Sequence, residues 1–461
     1  MSDLSLEDIA SLCKRRGFIY QGSEIYGGLS GTWDYGPLGV QLKRNLTNLW
    51  WKTFVEDRED VYGVDAAILM NPKVWEASGH IAGFADPLVE DPKTGKRYRA
   101  DHLLEDAGIE GVTKMTPEQM DAAIKENGIK SPDGNPVSDV RQFNMMFKTS
   151  IGAAEDESSV VYLRPETAAG IFMNYKNVVD SFSPNMPFAM AQIGKAFRNE
   201  ISARDFIFRV RELEQMEIEV FCHPDNWKEV FDEWLQLQKD FYLAVGLPES
   251  KLHHIDVPAE DRAHYSKHSI DTEFDFPFGQ KELGGCAYRT NHDLTAHQGA
   301  SGKNLLYRPK DGGEPYIPHV VEPTFGVDRL VLAVLANAYT EDEVNGEKRA
   351  FLKLPANLAP VKVAVSPLLK NKPELVAKAR EVYSLLKQEL GAVMWDDNGN
   401  IGKRYRRQDE IGTPYCVVID FETLEGKDEA ADTVTIRDRD TTEQRRVKID
   451  DLMLELALKT A

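Results

Sequence analysis

Residues 206–220 alternate between two kinds of side chain, and this pattern constrains the fold more than any other part of the sequence. Most even positions are apolar, as at Phe208 and Met216, whereas the odd positions include Arg209 and Glu217. Because side chains of a β-strand point alternately to opposite faces, the pattern predicts a strand with one apolar face and one row of functional groups. Such a row is typical either of a solvated outer face or of a binding surface.

The segment just before this strand favours the binding surface. Arg198 and Glu200 stand at the same two-residue spacing, within a strand-like region that extends from residue 187 to residue 222. Two neighbouring strands with matched rows of arginine and glutamate are less typical of a solvated face. We therefore expect a sheet in this region that carries a binding site.

Three further regions define the organisation of the chain. Apolar residues recur at helical spacing between residues 40 and 55, which predicts an amphipathic helix. Residues 90–159 are rich in turn-forming and polar residues, which is typical of an insertion in a larger domain. After a boundary near residues 355–360, strand and helix patterns alternate, so residues 361–461 predict a small α/β domain with a mainly parallel sheet.

The net charge argues at first against a nucleic-acid partner. The 461 residues include 55 lysines and arginines and 75 aspartates and glutamates, which gives a net charge of −20. Residues 361–461 hold 17 basic and 19 acidic residues, so this part is almost neutral and the acidity belongs mainly to residues 1–360. Local patches can therefore still attract RNA, and we expect such binding to be sensitive to salt.

Several classes of protein are excluded by simpler features. No apolar stretch is long enough for a transmembrane helix, and the first ten residues lack the basic charge of a signal or transit peptide. The four cysteines are far apart with no C-x-x-C, which argues against a structural zinc site and a disulfide framework. There is no G-x-x-x-x-G-K-[ST] phosphate loop. We expect a cytoplasmic protein that binds any nucleotide on another scaffold.

Several motifs resemble a known family. F-R-N-E at 197–200 with F-R-V-R-E at 208–212, and G-V-D-R at 326–329, resemble motifs 2 and 3 of class II aminoacyl-tRNA synthetases. The helix near residues 42–54 and the segment after it resemble motif 1. Further stretches narrow the resemblance to the homodimeric type of glycyl-tRNA synthetase; they are G-S-E-I-Y-G-G at 22–28, W-D-Y-G-P-L-G at 33–39, R-P-E-T-A at 164–168 and R-Y-R-R-Q-D-E-I-G at 404–412.

The resemblance implies the fold and its division into domains. It implies an α+β catalytic core with an antiparallel sheet over residues 1–355, interrupted by the 90–159 insertion. It also implies a C-terminal α/β anticodon-binding domain over residues 361–461. The three motifs would occupy about residues 40–72, 188–220 and 320–337.

The resemblance further implies that ATP activates glycine, which is then transferred to the 3′ end of tRNA(Gly). Arg198 would hold the α-phosphate and Arg329 the γ-phosphate, while Glu282 would help to hold Mg²⁺ through the phosphates. Arginine suits this chemistry because its planar fork binds phosphate oxygens in two places. The implied ATP-binding residues are Arg198, Asn199, Glu200, Phe208, Arg209, Val210, Leu213, Glu282, Leu283, Gly326 and Arg329.

Glycine offers no side chain to recognise, so its selection must be steric, whereas its ammonium group needs carboxylates. The resemblance places Glu166, Glu217 and Glu322 around the ammonium. Since three carboxylates repel one another, balancing cations are needed, and one cation should meet the glycine carboxylate. The implied glycine-binding residues are Arg99, Glu166, Gln215, Glu217, Arg289, Glu322 and Thr324.

A basic cluster lies in the C-terminal part of the chain. Lys403, Arg404, Arg406 and Arg407 surround Tyr405, which suggests either a solvated charge run or contact with tRNA phosphates and bases. The family uses this domain for the anticodon, and the motif 1 resemblance implies a homodimer. We expect Mg²⁺ with ATP, no zinc and no membrane partner.

The sequence departs from the family pattern at a few sites. Ala169 replaces a glutamine, Thr324 replaces a serine, and Leu213 replaces an aromatic residue that stacks on adenine. Two other readings stay open, namely a non-catalytic tRNA-binding relative and a synthetase for another small amino acid. The presence of Arg198, Arg329 and Glu282 argues against the first, and the three pocket carboxylates argue against the second.

Overall fold

The computed structural model describes residues 4–112, 115–153, 159–344, 346–425 and 432–460. The predicted helix near residue 40 is present, and it continues into a π-helical turn at Lys52–Glu56. The first strand after this helix is Val61–Gly63. The first elements are α1 (Leu6–Arg16), β1 (Ile19–Gln21), a 3₁₀ turn (Glu24–Tyr26), β2 (Trp33–Tyr35), α2 (Pro37–Trp51), β3 (Val61–Gly63), α3 (Pro72–Ala77) and α4 (His80–Gly83).

A small subdomain follows where the sequence predicts an insertion. Three strands pair in the order β5-β4-β6, and they pack on a separate apolar core that includes Val89, Leu104 and Ile124. The first of these strands begins at Ala85, and the parts of the predicted insertion at 113–114 and 154–158 lie outside the described residues. The elements are β4 (Ala85–Glu90), β5 (Arg97–Arg99), α5 (Ala100–Asp106), α6 (Pro117–Glu126), β6 (Arg141–Asn144), β7 (Lys148–Ser150) and β8 (Val160–Tyr162).

A seven-stranded sheet forms the centre of the molecule. The elements of this part are α7 (Ala168–Phe182), β9 (Phe188–Phe197), β10 (Glu212–Cys222), α8 (Trp227–Ala244), a 3₁₀ turn (Glu249–Lys251), β11 (Leu252–Asp256), β12 (His268–Phe276), β13 (Gly279–Thr290), α9 (His292–Ser301), β14 (His319–Gly326) and α10 (Val327–Ala338). The strands of the sheet lie in the order β11-β12-β13-β14-β10-β9-β3, and all neighbours are antiparallel except β9 and β3.

Helices cover both faces of this sheet. α2, α8 and α10 share one apolar core with the sheet, and α7 shares a second core with residues such as Phe188 and Phe221. Ten of the twelve residues of α10 are buried, because this helix lies between the sheet and α2. The polar row of β10 is buried as well, since Gln215, Glu217 and Glu219 are all less than a tenth exposed. A solvated outer face is therefore excluded for this strand.

The C-terminal part forms a second sheet, in the order β18-β17-β19-β20-β21. The expected mainly parallel sheet is only partly correct, because β20 and β21 are antiparallel to their neighbours. The last elements are β15 (Tyr339–Val344), β16 (Glu347–Leu352), β17 (Val363–Pro367), α11 (Pro373–Leu390), β18 (Val393–Trp395), α12 (Ile401–Glu410), β19 (Tyr415–Ile419), α13 (Phe421–Glu425), β20 (Thr433–Asp438), β21 (Gln444–Lys448) and α14 (Ile449–Thr460).

Buried charges join the β15–β16 hairpin to the C-terminal sheet. Arg349 of β16 donates to the Asp409 carboxylate at 3.0 Å, and Arg437 of β20 donates to both oxygens of the same carboxylate at 2.8 and 3.0 Å. Arg439 donates to the carbonyl oxygens of Leu354 and Gly412 at 2.9 and 2.7 Å. Arg349 and Arg437 therefore share one carboxylate although they come from different parts of the fold. These contacts, together with those of Arg439, form a joint that fixes the hairpin to the C-terminal sheet.

Candidate active site in the central sheet

Most of the residues expected to bind nucleotide or glycine line one cavity of about 330 Å³ on the central sheet. Its walls come from β10, β13 and β14, from the loop after β9 and from the start of α10. The expected residues that line it are Glu166, Arg198, Glu200, Phe208, Arg209, Val210, Leu213, Gln215, Glu217, Glu282, Leu283, Glu322, Thr324, Gly326 and Arg329.

Strand register explains how residues distant in sequence meet here. β10 pairs with β14 so that Glu217 lies opposite Thr324, and β13 pairs with β14 so that Ala287 lies opposite Glu322. Gly284 lies in the middle of this sheet, where a Cβ would come within 2.5 Å of both the Tyr242 hydroxyl and the Thr324 carbonyl oxygen. The close approach of helix α8 to the sheet therefore requires glycine at position 284.

Two arginines expected to bind phosphate line the cavity. Arg329 is held more firmly than Arg198, because its Nε and Nη1 donate to the carbonyl oxygens of Phe208 and Glu282 at 3.4 and 3.2 Å. Arg198 donates from Nε to the Pro165 carbonyl oxygen at 3.1 Å. Arg329, in the first turn of α10, forms an ion pair with Glu282 at 3.0 Å, and its guanidinium lies 4.4 Å from the centre of the Phe208 ring. Both side chains line the cavity, so each positions a guanidinium there with donor groups left for a ligand.

Arg209 adds a third cation to this end of the cavity. Its Nη1 is buried and has no hydrogen-bond partner among the described residues. Burial lowers the pKa of Arg209, and the nearby Arg99, Arg204 and Arg329 lower it further. A buried donor without a partner among like charges is costly, and a bound anion would satisfy it.

The expected ammonium-binding carboxylates occupy the other end. Glu217 accepts from the Thr167 N–H and from Gln215 Nε2, both at 3.0 Å, and it also contacts the Thr167 hydroxyl. Burial, with the nearby Glu322 and Glu166, raises the pKa of Glu217 to about 8. This shift favours a proton on Glu217 near neutral pH, and an ammonium group would favour its ionised form.

Glu166 behaves in the opposite way. Its carboxylate lies 3.3 Å from His80 Nε2. Although burial opposes ionisation, His80, Arg289 and Arg198 together lower the pKa of Glu166 to about 2. Among the pocket carboxylates, Glu166 is thus the one that most readily keeps its charge near neutral pH.

Arg289 does not line the cavity but lies behind it. Its Nη1 donates to both oxygens of Glu322 at 2.9 and 3.0 Å, and its Nε and Nη2 donate to Asp293 at 2.8 Å each. These bonds engage all three nitrogens of the Arg289 guanidinium. Arg289 is therefore placed to balance charge, and a direct contact with the glycine carboxylate does not fit this geometry.

Two other expected site residues also lie off the cavity wall. Arg99 pairs with Asp86 at 2.7 Å and with Asp101 at 2.5 Å, and it lines a separate cavity of about 300 Å³ in the inserted subdomain. Asn199 stands in the loop after β9, where its N–H donates to the Met145 carbonyl oxygen at 2.7 Å. Neither side chain lines the central cavity, although Arg99 is close enough to lower the pKa of Arg209.

Sequence reasoning missed several residues of this site. His80 contacts Glu166, and Tyr265 and Asp271 line the cavity. Glu219, on the same face of β10 as Glu217, is fully buried, and neither of its oxygens has a hydrogen-bond partner within the described part of the chain. Burial and Glu322 raise the pKa of Glu219 well above its usual range. In the sequence, the two-residue spacing from Glu217 was the signal that could have indicated Glu219. No sequence pattern indicated His80 or Tyr265.

The basic cluster of α12 lies apart from this cavity and is not uniform. Arg404 is buried and donates to the carbonyl oxygens of Pro367, Asp397 and Gly399. Arg407 pairs with Asp396 at 2.6 Å, and Arg406 donates to the Lys348 carbonyl oxygen at 2.8 Å. Lys403 is exposed. Arg404 therefore holds the fold of this domain, and its expected contact with tRNA does not fit its burial.

The described residues show no cluster of three or more histidine, cysteine, aspartate or glutamate side chains that could hold a metal ion. All four cysteines are buried and unpaired. Within the same part of the chain, no helix has the length and apolar character needed to cross a membrane.

Comparison with known proteins matches both parts of the fold. Residues 147–338 match the family described as "tRNA synthetase class II core domain (G, H, P, S and T)", and residues 362–457 match "Anticodon binding domain".

Similar full-length proteins share a single name, "Glycine--tRNA ligase". The relative from Deinococcus radiodurans is 47% identical over 98% of both chains. The relative from Caldanaerobacter subterraneus subsp. tengcongensis is 48% identical over 99% of both, and that from Thermus thermophilus is 46% identical over 97% of both.

Proposed function

Because the chain belongs to the glycine–tRNA ligases, a family of class II aminoacyl-tRNA synthetases, we propose that the central cavity is where it activates glycine with ATP. The ligase joins glycine to tRNA(Gly). The observation that supports the assignment is that one cavity combines cations suited to phosphate with carboxylates suited to an ammonium group. Arg198, Arg209 and Arg329 line it, and so do Glu166, Glu217 and Glu322.

Activation needs little covalent work from the protein. A carboxylate oxygen of glycine attacks the α-phosphorus of ATP, the bond to the β-phosphate oxygen breaks, and pyrophosphate leaves. Arg198 is assigned to the α-phosphate, Arg329 to the γ-phosphate and Arg209 to the bent phosphate chain. Their preorganised guanidinium groups stabilise the negative charge that these oxygens carry in the transition state. The terminal ribose 3′-hydroxyl of tRNA then attacks the glycyl carbonyl carbon, and AMP leaves.

Adenine and glycine take the remaining walls of the cavity. Glu200 is assigned to the adenine amino group, with Phe208, Val210 and Leu213 as apolar contacts. Leu213 packs on the ring without aromatic stacking, which is worth about 0.5–1.5 kcal/mol. Leu283 and Gly326 are assigned to ATP as well. The residues assigned to glycine are Glu166, Gln215, Glu217, Glu322 and Thr324, all of which line the cavity.

Glu282 and Asp271 fit a magnesium ion that arrives with ATP. Both line the cavity, and Glu282 contributes to the raised pKa of Asp271, which shows that the two carboxylates are close. Mg²⁺ is usually held by one or two carboxylates together with substrate phosphates, so a dedicated cage of protein ligands is not required. When bound, the ion neutralises phosphate charge; Arg329 keeps Glu282 ionised for this role by lowering its pKa.

The tRNA surface is proposed to lie around α12, with Lys403, Arg406 and Arg407 near phosphates and Tyr405 near a base. Arg404 is left out because its donors are engaged with backbone carbonyls. The proposed division places the catalytic core at 1–355, the insertion at 90–159 and the anticodon domain at 361–461. Cytoplasmic location remains our expectation.

A homodimer is also part of the proposal. Ile25 and Tyr26 are 90% and 87% exposed, in the segment that precedes motif 1. Large apolar side chains this exposed are typical of surfaces that another protein covers, and we assign this one to a second copy of the chain. Sedimentation equilibrium tests the assignment: a dimer that the paired change Ile25→Asp and Tyr26→Asp weakens supports it, and an unchanged dimer or a monomeric wild type contradicts it.

Exchange of labelled pyrophosphate into ATP tests the catalytic assignment. The expected result is exchange that depends on glycine, with far less exchange for alanine, serine or threonine. Exchange with none of the four amino acids would indicate a non-catalytic relative. Exchange with serine or threonine but not with glycine would contradict the substrate.

A further inference from the structure

A segment between β11 and β12 forms part of the cavity wall. Residues 257–267 connect these strands, and Val257, Arg262 and Tyr265 from this segment line the same cavity as the pocket glutamates. The segment was not among the regions that sequence motifs singled out. Its position at the pocket requires an explanation.

Arg262 fixes the two ends of this segment to each other. Its Nε donates to the Val257 carbonyl oxygen at 2.7 Å, and its Nη1 donates to the Lys267 carbonyl oxygen at 2.5 Å. The Ser266 N–H donates to the Ala263 carbonyl oxygen at 2.8 Å, which forms a tight turn around Tyr265. Tyr265 therefore lies in a loop whose two ends are held together by hydrogen bonds.

The Tyr265 ring packs against the guanidinium of Arg289, which lies behind the cavity. Its centre is 3.7 Å from the Arg289 guanidinium carbon, a close cation–π contact. The same guanidinium holds Glu322, which is assigned to the glycine ammonium. The Arg289 guanidinium therefore links the Tyr265 ring to Glu322, the carboxylate assigned to the glycine ammonium. Tyr265 also lines the cavity.

We propose that Tyr265 determines specificity, because its ring fills the space that any side chain larger than a hydrogen atom would need. This inference rests on the proposed function of the cavity. An α-carbon substituent lies roughly 2.5 Å from the amino nitrogen, so it must enter the space beside the ammonium carboxylates. A rigid ring rejects the extra group sterically, which is the form of selection open to an enzyme whose substrate has no side chain.

The experiment compares amino-acid selection in three variants with the wild-type enzyme. Tyr265→Ala removes the ring, Tyr265→Phe keeps the ring without the hydroxyl, and His264→Ala changes the exposed neighbour on the same segment as a control. Pyrophosphate exchange with glycine, alanine and serine gives kcat/KM for each pair. We expect Tyr265→Ala to raise the ratio of alanine to glycine kcat/KM at least tenfold, because one methyl group in a pocket is worth about 10- to 200-fold.

Each outcome has a distinct meaning. Tyr265→Phe and His264→Ala should keep the wild-type ratio, and a ratio that rises in either variant would overturn the steric role of the ring. An unchanged ratio in Tyr265→Ala, with glycine exchange retained, would also overturn it. If Tyr265→Ala loses exchange with every amino acid, Tyr265→Leu is measured instead, and equal loss there would show that the ring only supports Arg289. A wild-type enzyme without glycine exchange would contradict the proposed function instead.

Discussion

The cavity and helix α12 both contain several arginines, but they differ in what those arginines already bind. Arg198 gives one hydrogen bond to a backbone oxygen, and Arg209 has a buried nitrogen without a partner in the described structure. In α12, Arg404 donates to three different carbonyl oxygens and Arg407 is paired with Asp396. The same residue type therefore prepares a ligand site in one region and stabilises the fold in the other.

The difference teaches that local density of charge is a poor guide to function. The arginines of the most basic stretch are engaged with other parts of the protein, whereas the cavity arginines are scattered over more than a hundred residues. Donor groups without protein partners identify a phosphate site better than the number of cations does.

Replacing a cavity arginine should remove catalysis without affecting the fold. For Arg198→Ala we expect glycine-dependent pyrophosphate exchange to fall by about 10²- to 10³-fold, because a preorganised donor to the reacting phosphate is lost. Binding of tRNA, measured by filter retention, should remain nearly unchanged. Arg204→Ala is the matched control, since Arg204 lies in the same loop with a side chain 52% exposed. Exchange near the wild-type level in Arg198→Ala would show that the assigned role is wrong.

Replacing a buried arginine of α12 should have the reverse effect. Arg404→Ala leaves carbonyl oxygens without donors, and we expect it to lower the free energy of unfolding of the C-terminal part by about 2–4 kcal/mol. Hydrogen–deuterium exchange followed by mass spectrometry of peptides from residues 361–461 would measure this change. Pyrophosphate exchange, which needs no tRNA, should be retained under native conditions. A variant as stable as the wild type but deficient in tRNA binding would place Arg404 at the RNA surface after all.

Glycine binding should depend on pH through Glu217. Its pKa is raised to about 8, so the free enzyme carries this proton below pH 8, while an ammonium ion binds better to the ionised carboxylate. Apparent affinity scales with the competent fraction, so we expect the KM for glycine to fall about 50-fold between pH 6 and pH 8. The change should be smaller in Glu217→Gln. A wild-type KM that is flat over this range would contradict the proton assignment.

The smallest effect is expected from a surface cation of α12. For Lys403→Ala we expect tRNA affinity to weaken about two- to threefold and the slope of log affinity against log salt to decrease by about one unit. Thermal stability should not change, in contrast to Arg404→Ala. Lys370→Ala, elsewhere on the C-terminal domain, serves as the control. An identical salt slope in wild type and Lys403→Ala would remove Lys403 from the RNA surface.

The fold and the cavity walls were largely predictable because they depend on local patterns. Period-two alternation identified only part of the strand predicted at 206–220, because β10 is Glu212–Cys222 and residues 206–211 lie in the loop before it; helical spacing identified α2. The motif residues of the nucleotide end line one cavity, since strand register places them together. The antiparallel strands β20 and β21 were missed because pairing direction depends on contacts between distant segments.

Side-chain partners were harder to predict than positions. The sequence shows that Arg289, Arg99 and Arg404 are cations, but it does not show that each has carboxylate or carbonyl partners already. Tyr265 approaches the pocket only through the folding of a connecting loop, which no spacing rule encodes. The pKa of Glu217 likewise depends on burial and on Glu322 from another strand. These properties arise in tertiary structure, where neighbours come from separate parts of the chain.

The joint at Asp409 has a consequence for dissecting the molecule. A cut in the linker near residue 360 would keep Asp409 and Arg437 in the C-terminal fragment but would remove Arg349 and the Leu354 carbonyl oxygen. The fragment would then contain Arg439 with a lost acceptor and a carboxylate with one counter-ion instead of two. A fragment that begins at residue 339 retains the whole joint, so the natural unit for expression and for RNA titration includes the hairpin from the catalytic side.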